Sequence, residues 1–284
     1  MGNGFELRRR VGRVLRGGRN SYGGSDPANL SALFAARRGD EDRTEKMRRF
    51  LLATRLSAVA ADRSYRKIEA HFSEARAQLL QDIFALMVTE WKTGGVFVEI
   101  GVGDGEALSN TYLLEKSFGW SGVLVEPDPR FHASISEKRS ATLDKRAAFK
   151  ESGLEVSFVL DDTRGEFSAI EAFADRDGRQ RRGETISVET VTLEDILAAA
   201  GIGQVDYLSV DTEGSEFEVL QGVDLAAHDV KVLTVEHNHD LEKLSRIEPF
   251  LNGQDYWRVF DGATFFDAWY VRGKARAQAF AEIA

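Results

Sequence analysis

The chain has 284 residues, 43% hydrophobic and 29% charged, the proportions of an ordinary soluble globular protein with room for one large α/β domain and an extension. A formal net charge of −9 argues against a general nucleic-acid binder, which carries a basic balance. The absence of cysteine excludes a disulfide framework, a thiolate metal site and a cysteine nucleophile.

The charge is unevenly spread. Arg8, Arg9, Arg10, Arg13, Arg16 and Arg19 face Glu6 alone in residues 1–20, a net of +5, which leaves −14 for the remainder. This reads as a solvated arm, with docking to an acidic partner or membrane surface as the alternative. No apolar core follows the arginines as in a secretory signal, and no run of eighteen apolar residues occurs, so the expected location is the cytoplasm. Residues 17–29, "GGRNSYGGSDPAN", read as a linker. From Glu41 to Trp91 apolar residues recur at helical spacing: Phe50, Leu51, Leu52, Leu56 and Val59, then Leu79, Leu80, Ile83, Phe84 and Met87. Residues 1–90 thus form a basic arm and helical extension, expected to pack on the main domain and to supply contacts for a homo-oligomer.

After Gly94-Gly95, short runs rich in Val and Ile alternate with helical stretches, the pattern of a mostly parallel sheet built from βα units over residues 91–284. Strands are expected at 96–100, 122–126, 141–148, 205–210, 231–236, 256–260 and 267–271. The first five read as strands buried on both faces, and the last two as an antiparallel hairpin. An insertion at about 151–190 carries two further strand-like runs, "VSFVL" and "ISVETV", around a polar loop at 175–184.

The first strand runs into "VFVEIGVGDGEALSN". Glycine supplies positive φ and lets a ligand approach bare backbone. Gly101, Gly103 and Gly105 form G-x-G-x-G, whereas a dinucleotide fingerprint needs G-x-G-x-x-G, and position 106 is Glu. Glu99 and Asp104 would repel a pyrophosphate and welcome a cation. S-adenosylmethionine, a sulfonium with an α-ammonium and no phosphate, suits such a loop. Glu126 closes the next strand, "GVLVEP", where an acidic side chain accepts from both ribose hydroxyls; a carboxylate favoured by a helix N-terminus is the plainer alternative.

These blocks, with "VETVTLEDIL", "VDYLSVDTEGSEFEVLQGVDL", "VEHN" and "FDAWYVR" in order, resemble the FkbM-type S-adenosylmethionine-dependent methyltransferases from about Gln78 to Arg272. The resemblance implies a Rossmann-like class I methyltransferase fold with a seven-stranded, mostly parallel sheet. It also implies O-methyl transfer to a sugar hydroxyl of a glycan, glycolipid or natural product.

Methyl transfer needs an aligned acceptor oxygen and a group that takes its proton. The carboxyl ends of the strands offer Asp211 and Glu213 in "SVDTEGSE" and Glu236, His237 and Asn238 in "TVEHNHD". In one mechanism His237 or a carboxylate is the base. In the other, which the neighbouring carboxylates favour, Asp211 and Glu236, with Glu213 as a further ligand, hold a divalent cation such as Mg²⁺. Against both, Glu213 and Glu216 complement a helix dipole, His239 and Asp240 are loop residues, and His237 has a structural hydrogen-bonding role. Asn110 is expected to bond donor or acceptor, and Trp120 to be core or cleft wall. Asp161, Asp162 and Arg164 of the insertion either reach the site or form a surface turn. Late aromatics (Tyr256, Trp257, Phe260, Phe265, Phe266, Trp269, Tyr270) suit the core of the hairpin, with one or two free to stack on a sugar. The alternatives from other classes are an NAD-linked sugar oxidoreductase and a non-catalytic module for glycan assembly.

Overall fold

The computed structural model describes residues 67–68, 70–174, 181–261 and 264–282. The basic arm, the linker and the helical pattern at 41–66 lie outside these residues, as does most of the polar loop at 175–184.

The main sheet is built from β1 (Val96–Ile100), β2 (Ser121–Val125), β3 (Thr142–Asp144), β8 (Tyr207–Val210), β9 (Val232–Glu236), β10 (Tyr256–Val259) and β11 (Asp267–Arg272). Among the described residues its order is β10-β11-β9-β8-β1-β2-β3. The five strands from β3 to β9 run parallel, β11 is antiparallel to β9, and β10 pairs antiparallel with β11. The α/β sheet is therefore mixed. Five helices concern the argument: α1 (Gln81–Val88), α2 (Pro129–Lys138), α3 (Leu193–Ala200), α4 (Glu216–Leu220) and α5 (Leu241–Asn252).

The two faces of the sheet differ. Val98, Ile100, Leu208, Val210, Leu233, Val235, Ala268 and Tyr270 share one core with Ile196 and Leu197 of α3, Val219 and Leu220 of α4, and Ile247 and Leu251 of α5. The period-2 alternation of a strand puts the intervening residues on the other face. There Glu99, Ser209, Thr234 and Trp269 are register partners across β1, β8, β9 and β11. One row further on, Glu236 sits opposite Asp267. Helix α1 covers this polar row: the Phe84 ring stacks on Trp269 with centroids 4.5 Å apart, a contact worth about 1 kcal/mol beyond burial.

The third expected strand divides. Arg146 turns back on Asp144 (Nη2 to Oδ2, 2.6 Å), so β3 joins the main sheet while β4 (Ala147–Ala148) joins a second one. β3 is also an edge strand and partly exposed, not buried on both faces. The insertion supplies β5 (Glu155–Val159), β6 (Ala169–Ile170) and β7 (Thr185–Val191), giving the second sheet the order β4-β7-β5-β6. Among the described residues no helix is long and apolar enough to cross a membrane.

Candidate functional site

The carboxyl ends of β1, β2, β8, β9 and the start of β11 converge. At β1 the glycines divide their labour. A Cβ on Gly101 would lie 1.7 Å from the Asp211 carbonyl oxygen, and one on Gly105 would meet Ile135 of α2 at 3.2 Å, so both allow close packing. Gly103, at φ +59°, would meet only the Glu166 Cγ at 3.6 Å; it is the open position of the loop. Glu126 receives that loop: its Oε2 accepts from the N–H groups of Val102 (3.0 Å) and Gly103 (2.8 Å), and its Oε1 from Asp128 (2.9 Å). Burial outweighs these bonds and pushes its pKa up to about 7. Lone pairs remain on both oxygens for further donors.

The expectation that Glu99 and Asp104 present bare negative charge is corrected. Glu99, 1% exposed, accepts from Ser109 Oγ (2.9 Å), Asn110 N (2.6 Å) and Thr111 Oγ1 (2.5 Å), and Arg139 Nη1 lies 3.6 Å away. Asp104 caps Glu106 and Ala107 and pairs with Lys138 at 2.8 Å. Both carboxylates shape the loop, and their charge is met by buried or neighbouring cations. The shaping sets Asn110: its Nδ2 donates to Ser209 Oγ (2.9 Å), while its buried Oδ1 has no protein partner.

The second group lies beyond β8 and β9. Carboxylate oxygens of Asp211, Glu216 and Glu236 come within 4.8 Å of one another. Asp211 is half-buried, whereas Glu216 and Glu236 are buried. Glu216 Oε1 accepts from Thr212 (3.1 Å) and Gly214 (2.9 Å), and its Oε2 lies 2.6 Å from Lys243 Nζ of α5. Burial, followed by the charge of Asp211, holds the Glu236 carboxyl well above the carboxylate range. Asn238 Nδ2 donates to Glu236 Oε2 at 2.5 Å. Asp267, also buried, is pushed up to about 7 by burial and then by Asp211, and accepts from Gln81 Nε2 of α1 at 2.7 Å.

Glu213, expected beside Asp211 as catalyst or ligand, turns aside. Its Oε2 pairs with Arg181 Nη2 at 3.0 Å, a guanidinium 2% exposed that arrives from the insertion. His237 lies 4% exposed with Nε2 3.1 Å from the Asp267 carbonyl and Nδ1 unpartnered. Burial, then the nearby Arg258 cation, lowers its pKa to about 4. Its ring is neutral at physiological pH and a poor proton acceptor. Glu213, Asn238 and His239 hold positive φ at these strand ends, as does Leu108 in the loop after β1. Non-glycine residues there cost on the order of 1–3 kcal/mol each, a strain that concentrates at functional sites.

A sequence model of the methyltransferase FkbM domain matches residues 99–257, more than half of the chain and every group just described except Gln81, Arg258 and Asp267. The chain belongs to the FkbM methyltransferase family. Membership implies use of S-adenosylmethionine. Among solved structures, the precorrin-6y C5,15-methyltransferase of Geobacter metallireducens GS-15 is similar over 62% of this chain and 70% of its own, at 15% identity and a TM-score of 0.36. A comparison with curated proteins finds no match.

The residues fit the donor that the FkbM family implies. Gly103 leaves room, Glu126 stands at the end of β2, and Asn110 Oδ1 is an orphaned buried acceptor beyond the glycine loop. Other expected residues lie elsewhere. Trp120 precedes β2, at the opposite end of the sheet, and its Nε1 donates to the Lys92 carbonyl at 2.7 Å. Asp161 is buried, caps its own turn at Thr163 and Arg164 and accepts from the Arg182 N–H, while Asp162 is exposed. The insertion reaches the site through Glu166 and Arg181 instead. Of the late aromatics, Tyr256 and Tyr270 are core and Trp269 lies under α1. Glu216, Lys243, Asp267 and Gln81 were not singled out as site residues by the sequence. Glu216 alone carried a signal, a third acid in "DTEGSE".

Proposed function

We propose that this methyltransferase transfers a methyl group to a sugar hydroxyl, with Asp211 receiving the hydroxyl proton. The observation that carries the reading is the trio of converging carboxylates at the strand ends beyond β8 and β9, one of them half-buried. Bound S-adenosylmethionine supplies an electrophilic methyl group, which joins the acceptor oxygen as its bond to sulfur breaks.

The chain's own residues supply the rest. Glu126 accepts from the ribose hydroxyls, and Asn110 Oδ1 and the Gly101–Gly105 loop receive the amino-acid end, with Glu99 acting through the loop it shapes. Asp211 is the partly solvated carboxylate of the trio and takes the proton. Glu236, whose burial favours its protonated form, is placed to donate a hydrogen bond to the acceptor or to Asp211. Glu213 orients the insertion through Arg181. His237 supports β11 through the Asp267 carbonyl. Acceptor recognition falls to the insertion, and to the extension of residues 1–90 we assign contacts between copies; the reading puts the enzyme in the cytoplasm.

The second reading is metal assistance by Asp211 and Glu236 with Mg²⁺. It is favoured by the all-oxygen donor set, completed by Glu216 rather than Glu213. Chelation separates the two: EDTA leaves the rate unchanged if a carboxylate acts directly, and abolishes it if a metal is required. Incubation with labelled donor and a panel of glycans and nucleotide sugars tests the function itself. Label incorporated into a sugar supports it. Donor binding without transfer to any sugar supports a non-catalytic module or another acceptor class.

A further inference from the structure

The cluster of Asp211, Glu216 and Glu236 comes with a cation of its own. Lys243 is the third residue of α5, and the Asp240 carboxylate that caps the helix accepts from its backbone N–H at 2.9 Å. From there its side chain runs inward, only 7% exposed, and sets Nζ 2.6 Å from Glu216 Oε2. Glu216 contributes its other oxygen to the N–H groups of Thr212 and Gly214, the turn directly following Asp211. One carboxylate therefore ties the ammonium to the backbone that presents Asp211.

A buried ammonium is strongly disfavoured unless paired. Here burial lowers the Lys243 pKa, but the charge of Glu216 and its hydrogen bond to Nζ outweigh it and raise the pKa. A divalent ion bound to the same oxygens would stand within a few ångströms of this ammonium, and like charges at that range repel strongly at the reduced dielectric of a protein site.

We propose that Lys243 is the resident cation of the cluster, a positioning residue that takes the place of a divalent metal and holds the Asp211 turn through Glu216. The proposal deepens the carboxylate-base reading given above and rests on it for its catalytic meaning, but its test needs no acceptor. Mn²⁺ is titrated into the full chain and followed by electron paramagnetic resonance, with S-adenosylhomocysteine affinity as the check on folding. The wild type is expected to show no saturable Mn²⁺ site. Lys243→Met, which keeps the buried stem and removes the charge, should gain Mn²⁺ affinity by at least about ten-fold. Lys243→Met combined with Glu236→Gln should lose the gain, and Lys243→Arg should behave as wild type. A saturable Mn²⁺ site in the wild type that Glu236→Gln removes overturns the proposal, as does a folded Lys243→Met protein without any gain. Should Lys243→Met fail to bind S-adenosylhomocysteine, the wild-type titration decides alone. Absence of methyl transfer to sugars would count against the acceptor assignment and leave the titration unaffected.

Discussion

Asp267→Asn offers a quantitative test of the buried acidic end of the sheet. Asp267 is 4% exposed, and its Oδ2 accepts from Gln81 Nε2 (2.7 Å) and Trp269 Nε1 (3.3 Å). Burial and the charge of Asp211 raise its pKa from 3.8 to about 7. A raised acid favours the protonated folded state. Its contribution is therefore fully present below pH 3.8 and is lost as pH rises to about 7, because the unfolded chain releases the proton first. At about 1.36 kcal/mol per pH unit, folding with Asp267 in place of a neutral group costs about 4 kcal/mol at pH 8, where the folded acid is ionised, and about 2 kcal/mol at pH 5, where only the unfolded chain has released the proton. Asn retains the accepting oxygen and stays neutral, so it imitates the protonated acid. Urea unfolding of the two proteins should therefore show the variant more stable, by about 4 kcal/mol at pH 8 and about half that at pH 5. A gain independent of pH, or a variant less stable at pH 8, would refute the reasoning.

Three further substitutions separate packing from binding and chemistry. Gly101→Ala places a Cβ 1.7 Å from the Asp211 carbonyl and should destabilise the protein by on the order of 3 kcal/mol in the same unfolding assay; a neutral result would deny the close packing of β1 on β8. Gly103→Val meets no such contact and should cost about 1–2 kcal/mol for its left-handed backbone, yet abolish S-adenosylhomocysteine binding measured by calorimetry; wild-type affinity would make the loop a simple turn. Asp211→Asn should lower kcat by at least about 100-fold with donor affinity unchanged, and a near-normal rate would remove Asp211 from the chemistry.

The extent to which the site was legible in the sequence follows the range of the interactions. β1, β8, β9 and β11 were readable because their apolar runs are strand-length, three of them bounded by Gly or Asp. The break between β3 and β4 was not, because it depends on Arg146 folding back on Asp144, a contact that leaves no periodic trace. Glu99 was legible as important and misread as ligand-facing: its partners Ser109, Asn110 and Thr111 close a loop, and Arg139 comes from beyond α2. Glu216 stood in view but was assigned to a helix terminus, since its pairing with Lys243 joins segments 27 residues apart. Asp267 gains its meaning only from the register that sets it opposite Glu236 and from Gln81, 186 residues earlier in the chain. Short-range pattern located the strand ends; the charge pairing between them is a property of topology.

The central claim, methyl transfer to a sugar oxygen by a carboxylate base, is tested most directly with donor carrying a ¹³C-methyl group and NMR of the product formed on an accepting glycan in the presence of EDTA. The account predicts a ¹³C-methyl ether on a sugar carbon, formed without metal and absent with Asp211→Asn. A methyl group on nitrogen or carbon, or product that appears only when metal is restored, would contradict it.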